Sequence, residues 1–154
     1  MKAREYLNQL KKLNKMIENK LAEREQWKAI AQNVTPQSNS VRINGVLYGV
    51  EKVQSNGSQS KMADAVERYI DVENEINECI DALIDTRQEI ISVIEQLATT
   101  EYDILHKLYV QYFTLHEVAE AIGYSYSWVT TAHGRALKQV QNILDSMEKE
   151  RSKP

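Results

Sequence analysis

The sequence predicts an all-α protein: a long antiparallel, coiled-coil-like helical hairpin followed by a C-terminal helix-turn-helix domain. Three observations predict it. Gly and Pro are scarce, five and two in 154 residues, so little punctuation interrupts the chain. Met62, Tyr69, Ile76, Leu83, Ile90 and Leu97 recur every seven residues, a period that only helices sustain. Thr114-Leu115-His116-Glu117 has the form of a capping box, and Gly123 stands where a helix started there would stop.

Composition narrows the function classes. One Cys excludes a disulfide scaffold and a Cys-based zinc site. No apolar run approaches the ~18 residues of a membrane span, and the basic start has no apolar stretch after it, unlike a secretory signal. A soluble, cytoplasmic chain is expected. The net charge of -3 conceals an asymmetry: residues 1–34 carry eight Lys/Arg against four Asp/Glu, whereas residues 61–98 carry three against ten. A basic and an acidic helix packed side by side attract each other; a basic helix can also meet DNA phosphates.

In order along the chain, residues 2–34 read as one helix, with Tyr6, Leu10, Leu13 and Ile17 on one stripe. It should stop before Pro36, because the residue preceding a proline avoids the α region. Residues 35–60 hold three of the five Gly and form the loop between the long helices. Within it, Asn44-Gly45 between two β-prone runs signals a short β-hairpin with a type I′ turn. Ser55-Asn56-Gly57-Ser58 reads as a further turn.

Residues 61–97 follow as a helix about 55 Å long. Beside the heptad series above runs a second one, Val66, Glu73, Ile80, Arg87 and Ile94. Together they read as an a/d seam, and Ile70, Ile84 and Ile91 widen it beyond what one partner helix covers. Tyr69, Ile76, Ile80, Leu83, Ile90 and Ile94 are the expected oligomerisation residues, with a dimer favoured. Cys79 borders the seam as a small apolar side chain. The expected division is 1–98 for spacing and oligomerisation, 99–148 for the helix-turn-helix, and 149–154 as a flexible tail.

Nothing in the sequence supports catalysis. His106, His116 and His133 share no spacing, and no glycine-rich phosphate loop is present. Asp103 and His106 stand three apart on one helix face, a spacing typical of surface hydrogen bonding. His116-Glu117 starts like a zincin motif, but position 120 is Glu instead of His. No metal, cofactor or small-molecule substrate is expected.

The helix after Gly123 carries the functional expectation. Val118, Ala119 and Ile122 are expected to face Val129 and Leu137, leaving Ser125, Tyr126, Ser127, Trp128, Thr130 and Thr131 as candidate DNA contacts. Hydroxyls and Tyr serve base edges and phosphates alike. His133, Arg135 and Lys138 follow as candidate backbone contacts. Residues 121–144 contain no Asp or Glu, as a phosphate-facing surface requires.

Val118-Ala119-Glu120-Ala121-Ile122-Gly123-Tyr124-Ser125, then Val129 and Arg135-Ala136-Leu137-Lys138, resembles region 4 of the sigma-70 family. Ala3-Arg4-Glu5-Tyr6-Leu7, Lys61-Met62-Ala63-Asp64-Ala65-Val66 and His133-Gly134-Arg135-Ala136-Leu137 add a resemblance to a phage-encoded family similar to the RinA and ArpU late-gene transcriptional regulators. It covers nearly the whole chain and departs at about residues 38–49. The resemblance implies a phage or prophage activator of late genes that reads double-stranded promoter DNA in the bacterial cytoplasm, with host RNA polymerase as a further partner. By position, it places Tyr126, Ser127, Thr130 and Thr131 in the major groove. One alternative is a small-terminase-like DNA-packaging protein. Another is an interaction module that docks on RNA polymerase or a repressor without reading DNA.

Overall fold

The computed structural model of the chain describes residues 1–34, 40–43, 46–49 and 56–154. Helices dominate: α1 (Ala3–Leu7), α2 (Gln9–Val34), α3 (Asn56–Ile94), α4 (Thr99–Leu105), α5 (Leu115–Ile122) and α6 (Tyr126–Arg151). A π-helical segment, His106–Val110, continues α4 directly. Strands β1 (Ser40–Ile43) and β2 (Val46–Gly49) pair antiparallel with Ile43 opposite Val46; the expected Asn44-Gly45 turn lies outside the described residues. The expected single helix over 2–34 is interrupted at Asn8, which ends α1. Asn56-Gly57-Ser58, expected as a turn, form the start of α3.

The chain divides into two units: Met1–Met16 with Ile80–Pro154, and Ile17–Cys79. This differs from the expected boundary at residue 98, because α1 and the end of α3 pack with the C-terminal helices. One core joins Ala3, Leu7 and Leu10 to Ile90, Val93 and Ile94 of α3 and to Ala136, Val140 and Leu144 of α6. Helix α6 also runs on to Arg151, so the expected tail begins as helix.

In the Ile17–Cys79 unit the basic and acidic helices do meet. Lys20 pairs with Glu75, Arg24 Nη1 lies 3.9 Å from Glu73 Oε1, and Arg68 lies 3.9 Å from Glu23 and 5.7 Å over the Trp27 ring. Rising numbers on α2 meet falling numbers on α3, so the two run antiparallel. The Lys20–Glu75 hydrogen bond holds the ammonium pKa above its ordinary value and the carboxyl below. Lys20 is thus engaged by α3, and Arg24 is shared between Glu73 of α3 and Glu25 of its own helix, 3.6 Å away.

The inward face of α3 differs from the expected seam. The series from Met62 to Leu97 does turn inward, with Ile76 and Ile90 buried and the other four half-buried. Its companion is Ala65, Val72, Cys79, Thr86 and Val93, three residues on from each Met62-series position, all buried or half-buried. The expected companion is one position further round. Of it, Glu73 and Arg87 are exposed, Val66 and Ile80 are 41% and 38% exposed, and only Ile94 is buried. Desolvating the two charges would cost several kcal/mol per ion, so the helix turns them to water and presents small side chains instead. Three of the expected oligomerisation residues, Ile76, Ile90 and Ile94, are therefore core residues of the chain itself. Tyr69 and Leu83 are half-buried, and Ile80 remains on the surface with Val66, Ile70 and Ile84.

Candidate nucleic-acid interface

Helices α5 and α6 are set by local chemistry. Thr114 Oγ1 accepts from the Glu117 N–H at 3.2 Å, and the Glu117 carboxylate accepts from the Thr114 N–H at 3.2 Å. That reciprocal pair satisfies two otherwise orphaned donors. Gly123 ends α5 in the left-handed region, φ 76° and ψ 25°, with its N–H on the Ala119 carbonyl. Only glycine takes this conformation without Cβ strain. Ser125 then caps α6, its hydroxyl accepting from the Trp128 N–H at 3.2 Å.

A second core fixes the crossing of these helices. Val118 and Ala119 of α5 pack with Val129 and Ala132 of α6 and Ile104 of α4; Ile122 and Trp128 close its edge. Leu137, expected here, packs instead with the core around α1 and α3. The small side chains of Ala119 and Ala132 let the helices approach closely.

The exposed start of α6 carries most of the candidate contacts. Tyr126, 45% exposed, stacks on His116 of α5 with ring centroids 4.2 Å apart. Trp128 is half-buried and stacks on Tyr124 at 4.1 Å. Ser127, Thr130 and Thr131 are exposed. Thr130 Oγ1 donates to the Tyr126 carbonyl at 2.9 Å, and Thr131 Oγ1 to the Ser127 carbonyl at 3.0 Å. With their protons so engaged, both hydroxyls offer outward only lone pairs, beside a methyl group. Such a surface can accept from the amino groups of adenine or cytosine and contact the thymine methyl. Arg135 and Lys138 are exposed and make no ion pair among the described residues.

His133 is the exception. It is 8% exposed, on the inner side of α6 with Val129, Ala136 and Val140, and its Nε2 lies 2.9 Å from the Tyr109 hydroxyl. Burial, then the nearby Arg4 charge, hold its pKa below the usual value. The neutral imidazole and the phenol share this hydrogen bond, and burial raises the phenol's own pKa against the charge and hydrogen bond of Arg4. His133 is thus a polar core residue and not a backbone contact.

The π-helical segment places Tyr109 for this bond. Its wide turn closes with the Gln111 N–H on the His106 carbonyl, and Tyr112 then leaves the helix at φ 62°. Asp103 and His106 are separately engaged, the carboxylate with Lys107 Nζ at 2.7 Å and Nδ1 with Gln111 at 2.9 Å. Among the described residues no three His, Cys, Asp or Glu gather to hold a metal, and no helix is long and apolar enough to cross a membrane.

Sequence reasoning missed Tyr124 and His116, the stacking partners. Tyr124 lies before the Ser125 cap and outside α6, so its stack on Trp128 follows from the turn and not from helical spacing. Nothing in the sequence marks the His116–Tyr126 stack, which depends on the crossing of α5 and α6. No family model matches the chain, and no curated protein or solved structure matches it.

Proposed function

We propose that the chain is a DNA-binding transcriptional regulator. Helix α5, the Gly123 turn and α6 act as a helix-turn-helix whose second helix enters the major groove by its first turns. The observation that carries this reading is the start of α6. It is a capped, carboxylate-free helix end on which Ser127, Thr130 and Thr131 stand in the open, held at a fixed angle to α5 by a buried core. The sigma region 4-like pattern of residues 118–138 extends the proposal to a phage or prophage late-gene activator working in the bacterial cytoplasm, with host RNA polymerase as a further partner. Two positive side chains, Arg135 and Lys138, make few phosphate contacts, so binding has a shallow salt dependence.

The test is Thr131→Glu. Its side chain is exposed and packs in no core, so the thermal melt stays within about 0.5 kcal/mol of wild type. Binding to phage late-promoter duplex, read by footprinting and fluorescence anisotropy at low salt, is lost because a carboxylate meets phosphates and base acceptors. Wild-type affinity in this variant refutes the assignment, as does a wild-type protein that protects no site.

A second reading is favoured by the exposed rings. Tyr124 is 52% and Tyr126 45% exposed beside Trp128, and protein interfaces are enriched in such side chains. A module docking on RNA polymerase or a repressor would use them; it binds its partner equally well with Thr131→Glu. The packaging-protein alternative is separated by solution mass, a ring of many subunits against a dimer.

A further inference from the structure

Gly134 stands in the interior of α6, about two turns from its start and on its exposed side. Glycine is the poorest helix former after proline, so a glycine here calls for a reason. The chain supplies none: a Cβ built at Gly134 meets nothing within 4 Å, and its φ is not positive. Neither packing nor backbone conformation within the chain requires the missing side chain.

Position supplies the reason. Ser127, Thr131, Gly134 and Lys138 follow at spacings of four, three and four, which puts them on one face of α6. From Tyr126 to Gly134 is eight residues, about 12 Å at the helical rise. The major groove is also about 12 Å wide. A helix that enters by its first turn therefore has Gly134 at the rim, where a sugar-phosphate strand crosses it. Lys138 lies one turn beyond, Arg135 is adjacent, and the nearest carboxylates in sequence are Glu120 and Asp145.

We infer that Gly134 is a seat for one DNA strand: the missing side chain lets the sugar-phosphate backbone lie against α6, with Lys138 neutralising a phosphate there. The inference rests on the DNA reading above and names a contact which that reading does not. It assigns Gly134 to positioning the duplex, not to reading its bases.

The experiment compares wild type with Gly134→Ala, Gly134→Leu and Lys138→Ala. The probe is the duplex that wild type enriches from a randomised library. Both glycine variants should melt no lower than wild type, since Ala and Leu favour helix over Gly. Affinity should fall about tenfold for Ala, the effect of one lost contact, and further for Leu. Base preference should stay unchanged. Lys138→Ala should reduce the slope of log affinity against log salt by about one. Glycine variants that bind as wild type overturn the inference while leaving the DNA reading standing. A lowered melt in Gly134→Ala also overturns it, by showing that the fold itself needs the glycine. A wild-type chain that enriches no duplex overturns both.

Discussion

Tyr109→Phe tests the buried histidine, removing its hydroxyl partner together with that hydroxyl's hydrogen bond to Arg4. The substitution keeps the ring and removes only the hydroxyl that lies 2.9 Å from His133 Nε2. His133 is 8% exposed, so water does not readily replace the lost partner. Leaving such a group unsatisfied costs about 1–3 kcal/mol. At about 2–4 °C per kcal/mol for a chain of this length, the melting temperature should fall by about 2–12 °C. The same bond sets a pH dependence. The folded-state pKa of His133 lies below its ordinary 6.5, so the unfolded chain takes up a proton first as pH falls. Stability is full above 6.5 and declines as pH drops from there toward the folded-state pKa. His133→Gln keeps a hydrogen-bonding group near Tyr109 but cannot titrate. Urea denaturation followed by circular dichroism, from about pH 8 to about pH 5, should show wild type losing more stability than His133→Gln. His106, whose pKa is also lowered, mainly by burial, is present in both proteins and cancels in the comparison. Equal losses in the two proteins, or a Tyr109→Phe melt indistinguishable from wild type, would refute the buried-neutral assignment.

Two further perturbations test the architecture. Gly123→Ala forces a Cβ into a left-handed residue at φ 76° and should destabilise by about 1–2 kcal/mol in urea titration; an unchanged midpoint would contradict the turn geometry. Ile90→Ala, at a fully buried site, should cost about 2–5 kcal/mol. By contrast, Ile84→Asp, at a site 49% exposed, should leave the melt nearly unchanged and lower the solution mass if α3 is a self-association surface. A monomeric wild type by light scattering removes that surface from the function.

What could be read from the sequence was what local chemistry decides. Thr114, Glu117 and Gly123 each act within a few residues of themselves, and the structure places all three in the expected capping and turn roles, while Ser125, expected only as a DNA contact, also caps α6. The inner face of α3 was only half legible. Both a three-residue and a four-residue offset from the Met62 series contain aliphatic side chains, and the choice between them depends on packing neighbours far along the chain. Charge held the answer, since only one offset places Glu73 and Arg87 inside. His133 was misassigned because its residue type outweighed its phase. Val129, His133, Ala136 and Val140 follow at spacings of four, three and four, and that periodicity alone assigns all four to the core. The π-helical segment and the positive φ of Tyr112 have no local signature.

The first helix also bears on the order of folding. The Ala3 N–H donates to Gln141 Oε1 at 2.8 Å across 138 positions of sequence, and Leu7 shares a core with Val140 and Leu144. During synthesis at about 5–20 residues per second, α1 must wait several seconds for the helix it packs against. Ala3 and Leu7 can meet Ile90, Val93 and Ile94 once α3 is made, but their side toward Ala136, Val140 and Leu144 stays uncovered throughout that interval. The unit holding α6 therefore completes its core only after translation has passed residue 144, whereas the antiparallel contacts between α2 and α3 are available far earlier. A ribosome stalled before α6 should carry a protease-sensitive α1, and one released after it a protected α1.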